Sequence, residues 1–185
     1  MIAMLALTAF AMTTSDYKLA WSDEFDKPGS PDAAKWNFEQ GFAYNNEKQF
    51  YTGSRKENVE VKAGRLVITA RKDNFEGKEI TSARINTQGK ATWTYGKFEV
   101  RAKVPTGRGT WPAIWMLGSN IKEVGWPKCG EIDIMEHVGY DPDRVHGTIH
   151  TDAYNHTKKT GRGNSLELKP YQDFHVYSME WTAEK

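Results

Sequence analysis

The sequence predicts an all-β fold, a sandwich or jelly roll of many short strands. Three observations predict it. Apolar and polar residues alternate with a period of two in several segments. Turn dipeptides separate these segments, at Pro28-Gly29, Ala63-Gly64, Glu76-Gly77, Gln88-Gly89, Thr106-Gly107 and Asp141-Pro142. Helical signals are almost absent, and no internal repeat or low-complexity linker interrupts the pattern. The 185 residues suit one domain.

Taken in order, the chain opens on "MIAMLALTAFAMTTSDY", where Ile2 to Met12 form an uncharged apolar run too short to span a bilayer. Ala9-Phe10-Ala11 is a small-x-small cleavage pattern, so residues 1–11 read as a secretory signal peptide and 12–185 as the mature domain. The run lacks a preceding Lys or Arg, and a buried N-terminal strand is the alternative reading. No Cys follows the run, which argues against a lipid anchor there. Further on, "RLVITARK" turns Leu66, Ile68 and Ala70 inward, and "TSARINT" sets Ser82, Arg84 and Asn86 on one face. "YGKFEVRAKVP" points Phe98, Val100, Ala102 and Val104 one way and Lys97, Glu99, Arg101 and Lys103 the other. The segment Asp152 to Leu168 is polar and contains Gly, and reads as a long surface loop. "HVYSMEW" closes the series with His175, Tyr177, Met179 and Trp181 on one face.

Composition narrows the function classes. The net charge is +1 with no long run of one sign, which argues against a nucleic-acid binder. No segment is long and apolar enough for a membrane span, and a monomer is expected. The single Cys129 cannot form an internal disulfide and reads as a small packing residue. Aromatic residues reach 12 %, with seven Trp. That surplus suits exposed stacking surfaces as well as core.

The most informative segment is "GEIDIMEHVG", residues 130–139, which places Glu131, Asp133 and Glu136 among apolar neighbours. A helix, at about 100° per residue, would turn Glu131 away from the other two. A regular strand would align 131 with 133 and turn 136 away. A β-bulge near Ile134-Met135 resolves the conflict: all three acids then share a face while Ile132 and Ile134 face the core. Two Glu on one wall can approach the carboxyl separation of about 5–5.5 Å that a retaining glycosidase requires. Asp133 between them can share a hydrogen bond, and its charge can help keep one Glu protonated. A solvated strand face is the ordinary reading of such acids, but here it would need a bulge that merely clusters like charges. Three carboxylates also suit Ca²⁺ or Mg²⁺. His146 and His150, four apart, would suggest zinc on a helix, but Gly147, Thr148 and Ile149 argue for strand. His137 reads as a buried hydrogen-bonding residue.

"GEIDIMEHVG", with "GRGTWPAIWMLG" and "SARINTQGKATWTYGKFEVRAKVP" before it, resembles glycoside hydrolase family 16, best its laminarinase-like endo-β-1,3-glucanases with a bulged E-x-D-x-x-E motif. The resemblance runs from "LAWSDEFD" through "NNEKQFYT" and "ENVEVKAGRLVITA" to "HVYSMEWT". It implies a concanavalin A-like jelly roll of two stacked antiparallel sheets with a cleft across the concave one. It implies Glu131 as nucleophile, Asp133 as its assistant and Glu136 as general acid/base, hydrolysing internal β-glucosidic bonds with retention. Trp111 and Trp115 bracket Pro112 and can stack on sugar rings beside the cleaved bond, although one of the two could be core. Arg84 can donate a planar fork of hydrogen bonds to sugar hydroxyls. Asn46 matches a substrate-contacting Asn of the family, with turn formation as the alternative. His150 is expected on the leaving-group side of the cleft.

Family members continue for several more strands beyond "VYSMEWT". The catalytic domain is therefore expected to be incomplete at its C-terminus, with unpaired edges and reduced stability and activity. No cofactor is required by this chemistry. A structural Ca²⁺ on the "DEFD" region is left open. The expected partner is a β-glucan polysaccharide and the expected location secreted or periplasmic. Mixed-linkage β-1,3-1,4-glucanase and galactan hydrolase are the alternatives within the enzymes; a non-catalytic β-glucan-binding protein is the alternative outside them.

Overall fold

The structure is a computed structural model that describes residues 17–42 and 45–185. The apolar run read as an export signal falls outside the described residues. The strands are β1 Asn37–Phe38, β2 Gln40–Phe42, β3 Phe50–Thr52, β4 Val59–Val61, β5 Leu66–Ile68, β6 Arg71–Phe75, β7 Lys78–Ser82, β8 Ile85–Asn86 and β9 Gly96–Ala102. They continue as β10 Ala113–Leu117, β11 Glu131–Glu136, β12 Arg144–His150, β13 Arg162–Glu167 and β14 His175–Trp181. Helix is confined, among the described residues, to α1 Ile121–Val124 and a 3₁₀ turn at His156–Lys158. No helix among them is long and apolar enough to cross a membrane.

The expected alternation produces most of these strands. Two of the expected turns are two-residue hairpin loops with both residues at positive φ: Ala63 (52°) and Gly64 (67°) join β4 to β5, and Glu76 (50°) and Gly77 (76°) join β6 to β7. That conformation matches the twist of the strands it connects. The ladders run β10-β11-β12-β13, β14-β9, β2-β3-β7-β6, β4-β5 and β1-β8. One pairing departs from the antiparallel expectation: β3 and β7 are parallel, with Phe50 opposite Thr81 and Tyr51 opposite Ser82.

Two further expectations are corrected. Leu66 and Ile68 do share a face with buried Val61 and Val59, but Ile68 stays 46 % exposed and Ala70 lies outside the strand and exposed. The segment 152–168 is not a loop throughout. Its second half forms β13, which pairs with β12 from Arg162↔Ile149 to Glu167↔Arg144. All six β13 residues are exposed, so an edge strand with no apolar alternation left little periodicity to read.

The core lies between the β10–β13 sheet and the β9/β14 pair. Val104, Met135, Val145 and Tyr177 are buried there, with Ala102, Ile114, Ile134 and Leu168 packed around them. The sheet's other face carries the acids. Two glycines fit the β10/β11 pair to its surroundings at its two ends. Gly118 donates to Gly130 O (3.0 Å) and Gly139 donates to Thr110 O (2.9 Å). A Cβ on Gly118 would overlap the Cys129 carbonyl, and one on Gly139 would overlap the Gly107 carbonyl. Neither has a positive φ, so the requirement is space. Gly118→Ala and Gly139→Ala should each lower stability by about 2–3 kcal/mol through overpacking. Urea denaturation reads this, and an unchanged midpoint for both would contradict the close approach.

Candidate active site

The predicted bulge is present. On β10, Ile114 and Trp115 are adjacent, yet their partners on β11 are Met135 and Asp133, so Ile134 is an extra residue. On β12 the partners of Asp133 and Glu136 are Thr148 and His146, with only Gly147 between them. The extra residue resets the alternation. Met135 turns into the core at 2 % exposure, and Glu136 returns to the face of Glu131 and Asp133. Cross-strand pairing sets Trp115 beside Asp133, His150 opposite Glu131 and His146 opposite Glu136. The β-branched residues and Gly147 keep β12 extended. The two histidines therefore flank opposite ends of the acid row, as the strand reading requires, and do not converge.

Asp133 is the buried member of the trio, at 5 % exposure. Burial, then the charges of Glu131 and Glu136, then a hydrogen bond to Glu131 push its pKa up to about 8. At neutral pH Asp133 is therefore protonated and donates to Glu131. Asp133 is the most desolvated of the three acids and lies between the other two, which is why its carboxyl is pushed so far above the ordinary range. Each glutamate also accepts an indole N–H. Trp126 Nε1 donates to Glu131 Oε2 at 2.5 Å, and Trp111 Nε1 donates to Glu136 Oε1 at 2.9 Å. His150 Nε2 lies 3.4 Å from Asp133 Oδ2.

The remaining candidates divide. Neither Trp111 nor Trp115 is core. Trp111 is 63 % exposed, and Trp115 is half-buried beneath the Arg84 guanidinium, 4.6 Å from its ring. Arg84 pairs with Glu39: its Nε sits 3.1 Å from Glu39 Oε1 without donating a hydrogen bond to it, and that oxygen accepts from Asn86 Nδ2 at 2.9 Å. Asn46 is exposed at φ 58°, beside Asn45 at 63°, so the turn-forming reading describes it. No hydrogen bond ties it to the acid row among the described residues. His150 stands at the Glu131 end rather than the Glu136 end, where His146, Thr148, Tyr140, Val138 and Trp111 line a recess around Glu136. His137 is fully buried, and its Nε2 donates to Pro142 O at 3.0 Å.

Sequence reasoning misses Trp126, His156 and Glu39. A signal for Trp126 was available, since Trp-Pro occurs at both 111–112 and 126–127 and both indoles hold a glutamate. Glu39 and His156 lie far from the acids in sequence and carry no local mark.

Glu131, Asp133 and His150 could present donors to a metal, and their atoms lie within 4.8 Å of one another. A metal ion bound there would compete with the Asp133 proton. In the "DEFD" segment, Asp23 accepts from Trp36 Nε1 (2.8 Å) and faces Lys35 Nζ (3.5 Å).

The family model described as Glycosyl hydrolases family 16 matches residues 46–185. The chain is 55 % identical over 174 residues to a Beta-glucanase of Rhodothermus marinus, covering 91 % of this chain and 61 % of that protein. The X-ray structure of the laminarinase from Rhodothermus marinus aligns with a TM-score of 0.86 at 55 % identity, over 90 % of this chain and 68 % of the other. A non-specific endo-β-1,3(4)-glucanase crystallised with 1,3-β-D-cellotriosyl-glucose aligns at 0.88 and 49 % identity, over 92 % of this chain and 70 % of that one. The chain thus spans about three-fifths of the length of the Rhodothermus marinus glucanase. The all-β architecture, the jelly roll of these neighbours and the extent of the match agree, and the chain belongs to glycosyl hydrolases family 16.

Proposed function

We propose that the chain carries the catalytic machinery of a retaining endo-β-1,3-glucanase. The observation that carries this reading is the bulge at Ile134, which puts Glu131 and Glu136 on one wall with neutral Asp133 between them. Glu131 accepts hydrogen bonds from Trp126 and from Asp133, which orient its carboxyl toward the cleft as a nucleophile requires. Glu136 accepts from Trp111 through one oxygen, and the other oxygen can carry the proton for the leaving group. In the first step Glu136 protonates the glycosidic oxygen as the C1–O bond breaks, and Glu131 forms a glycosyl ester at C1. In the second step Glu136 takes a proton from water, the water oxygen attacks C1, and Glu131 leaves as carboxylate. Neither step needs a metal or an organic cofactor. Trp111 and Trp115 offer ring faces to pyranose units, Arg84 lies over the Trp115 ring, His150 offers a donor at the Glu131 end, and Asn46 on its exposed turn is a contact for a longer substrate.

Relatives named glucan endo-1,3-beta-glucosidase, from Cryptopygus antarcticus and Niallia circulans, favour β-1,3-glucan. The non-specific β-1,3(4) neighbour supports mixed-linkage glucan as a second substrate of the same site. Export of the chain, on the strength of the Ile2–Met12 run, accords with a polysaccharide substrate.

Reducing-end release from laminarin tests the reading. Glu136→Gln should lose about 10²–10⁴-fold in activity, the scale of a positioned acid/base, and Glu131→Gln at least as much. Binding without product in the unmutated chain would support a glucan-binding protein instead. The first-formed reducing end should be the β anomer by ¹H NMR; the α anomer would contradict double displacement. Asp133 also predicts a pH effect on stability. Its folded pKa of about 8 exceeds the ordinary value of 3.8, so the folded chain holds a proton that the unfolded chain releases. Between those values stability falls as pH rises. The melting temperature of Asp133→Asn, relative to the parent, should therefore climb from pH 4 to 8 and then level, while activity falls. A constant difference across that range would remove the buried proton.

A further inference from the structure

The turn between β12 and β13 is organised by a buried side chain. Asn155 is fully buried, and its Nδ2 donates to Thr151 O (2.9 Å) and Asp152 O (3.2 Å). Its Oδ1 accepts from Thr157 Oγ1 (2.6 Å) and Lys158 N (3.1 Å). Thr160 closes the loop, with its hydroxyl accepting from Asn155 N and donating to Ala153 O. With its amide satisfied in this way, the turn has one conformation, and that conformation fixes His156.

The His156 ring stacks on Trp126 at 5.0 Å and 30°, and stands edge-on to His150 at 5.4 Å. His150 in turn lies 5.8 Å from Trp126. Trp126 sits in the loop after α1, half-buried, and its indole N–H reaches Glu131 Oε2. Contacts thus run without a gap from Asn155 through His156 and Trp126 to Glu131.

We propose that Trp126 is a positioning residue for the Glu131 nucleophile, and that the 151–161 turn holds Trp126 in place through His156. This rests on the reading of Glu131 as nucleophile. A carboxylate that must attack C1 in line needs a fixed rotamer, and a charge-assisted N–H bond supplies direction as well as stabilisation. An indole makes such a bond only while its ring is held in plane. The packed His156 face provides that restraint in an otherwise open cleft.

Two kinds of measurement on the full chain test this. In ¹H–¹⁵N spectra, Trp126→Phe identifies the Trp126 indole resonance. It should move upfield in Glu131→Gln and move the same way in His156→Ala, while His156→Phe, which keeps the stack, leaves it in place. In laminarin hydrolysis, Trp126→Phe should lower kcat about tenfold or more, the worth of a hydrogen bond to a charged group, with KM nearly unchanged. His156→Ala should lower kcat by less, and His156→Phe should restore it. An indole resonance indifferent to both Glu131→Gln and His156→Ala overturns the proposal, as does a parental kcat in Trp126→Phe. Should Trp126→Phe fail to fold, as circular dichroism would show, the two His156 variants decide by the same spectra and rates. Retained activity in Glu131→Gln would remove the nucleophile reading, whereas an inactive Glu131→Gln beside a fully active Trp126→Phe would remove this inference alone. The spectra decide the contact itself without turnover.

Discussion

Asp133 and Met135 stand two positions apart, and in a regular pleat they would share a face. Asp133 belongs to the cleft with its neighbouring acids, while Met135 is anchored in the core against Val104, Val145 and Tyr177. Both demands can be met only if one extra residue intervenes, and Ile134 is that residue. Everything at the site follows from this steric constraint. The extra residue returns Glu136 to the cleft, sets His146 rather than Gly147 opposite it, and leaves the two glutamates on one wall with Asp133 between them.

Once gathered, the acids pose an electrostatic problem. Three adjacent carboxylates on a partly desolvated face repel one another strongly. Burial and the neighbouring charges raise the affinity of Asp133, the most buried of the three, for a proton, and each glutamate accepts one indole N–H. The indoles arrive from different directions, Trp111 from the segment entering β10 and Trp126 from the loop after α1. Each end of the row also has a histidine on β12. The two glutamates therefore have like donors but unlike surroundings. Glu131 has buried Asp133 beside it and the Trp126–His156 stack with His150 edge-on to it, while Glu136 has an open recess lined by Trp111 and Tyr140. Such an asymmetry lets two chemically identical side chains take different parts in one reaction.

The frame around the site is assembled from short strand ladders. Among the described residues the strands form five ladders, one of them with a parallel pair, and the layer beneath the acids is the β9/β14 pair, whose strands are far apart in sequence. Val176 and Leu166 remain 58 % and 64 % exposed. Close backbone approaches at Gly118 and Gly139 fit the ends of the β10/β11 pair to the neighbouring chain.

Local physics is legible in the chain by itself. Alternation marked β5, β9 and β14, turn dipeptides marked the hairpins, and the conflict between 131, 133 and 136 marked the bulge. The all-β class, the three acids and their shared face were determined there. Weak or absent alternation hid the rest: β13 is polar throughout, and Ile68 obeys the pattern without being buried. The proton on Asp133, the partners of Arg84, the turn at Asn46 and the meeting of Trp126, His150 and His156 were decided only by the tertiary structure. Desolvation and side-chain contact depend on which distant segments arrive at the same place, and no periodicity in the chain records that.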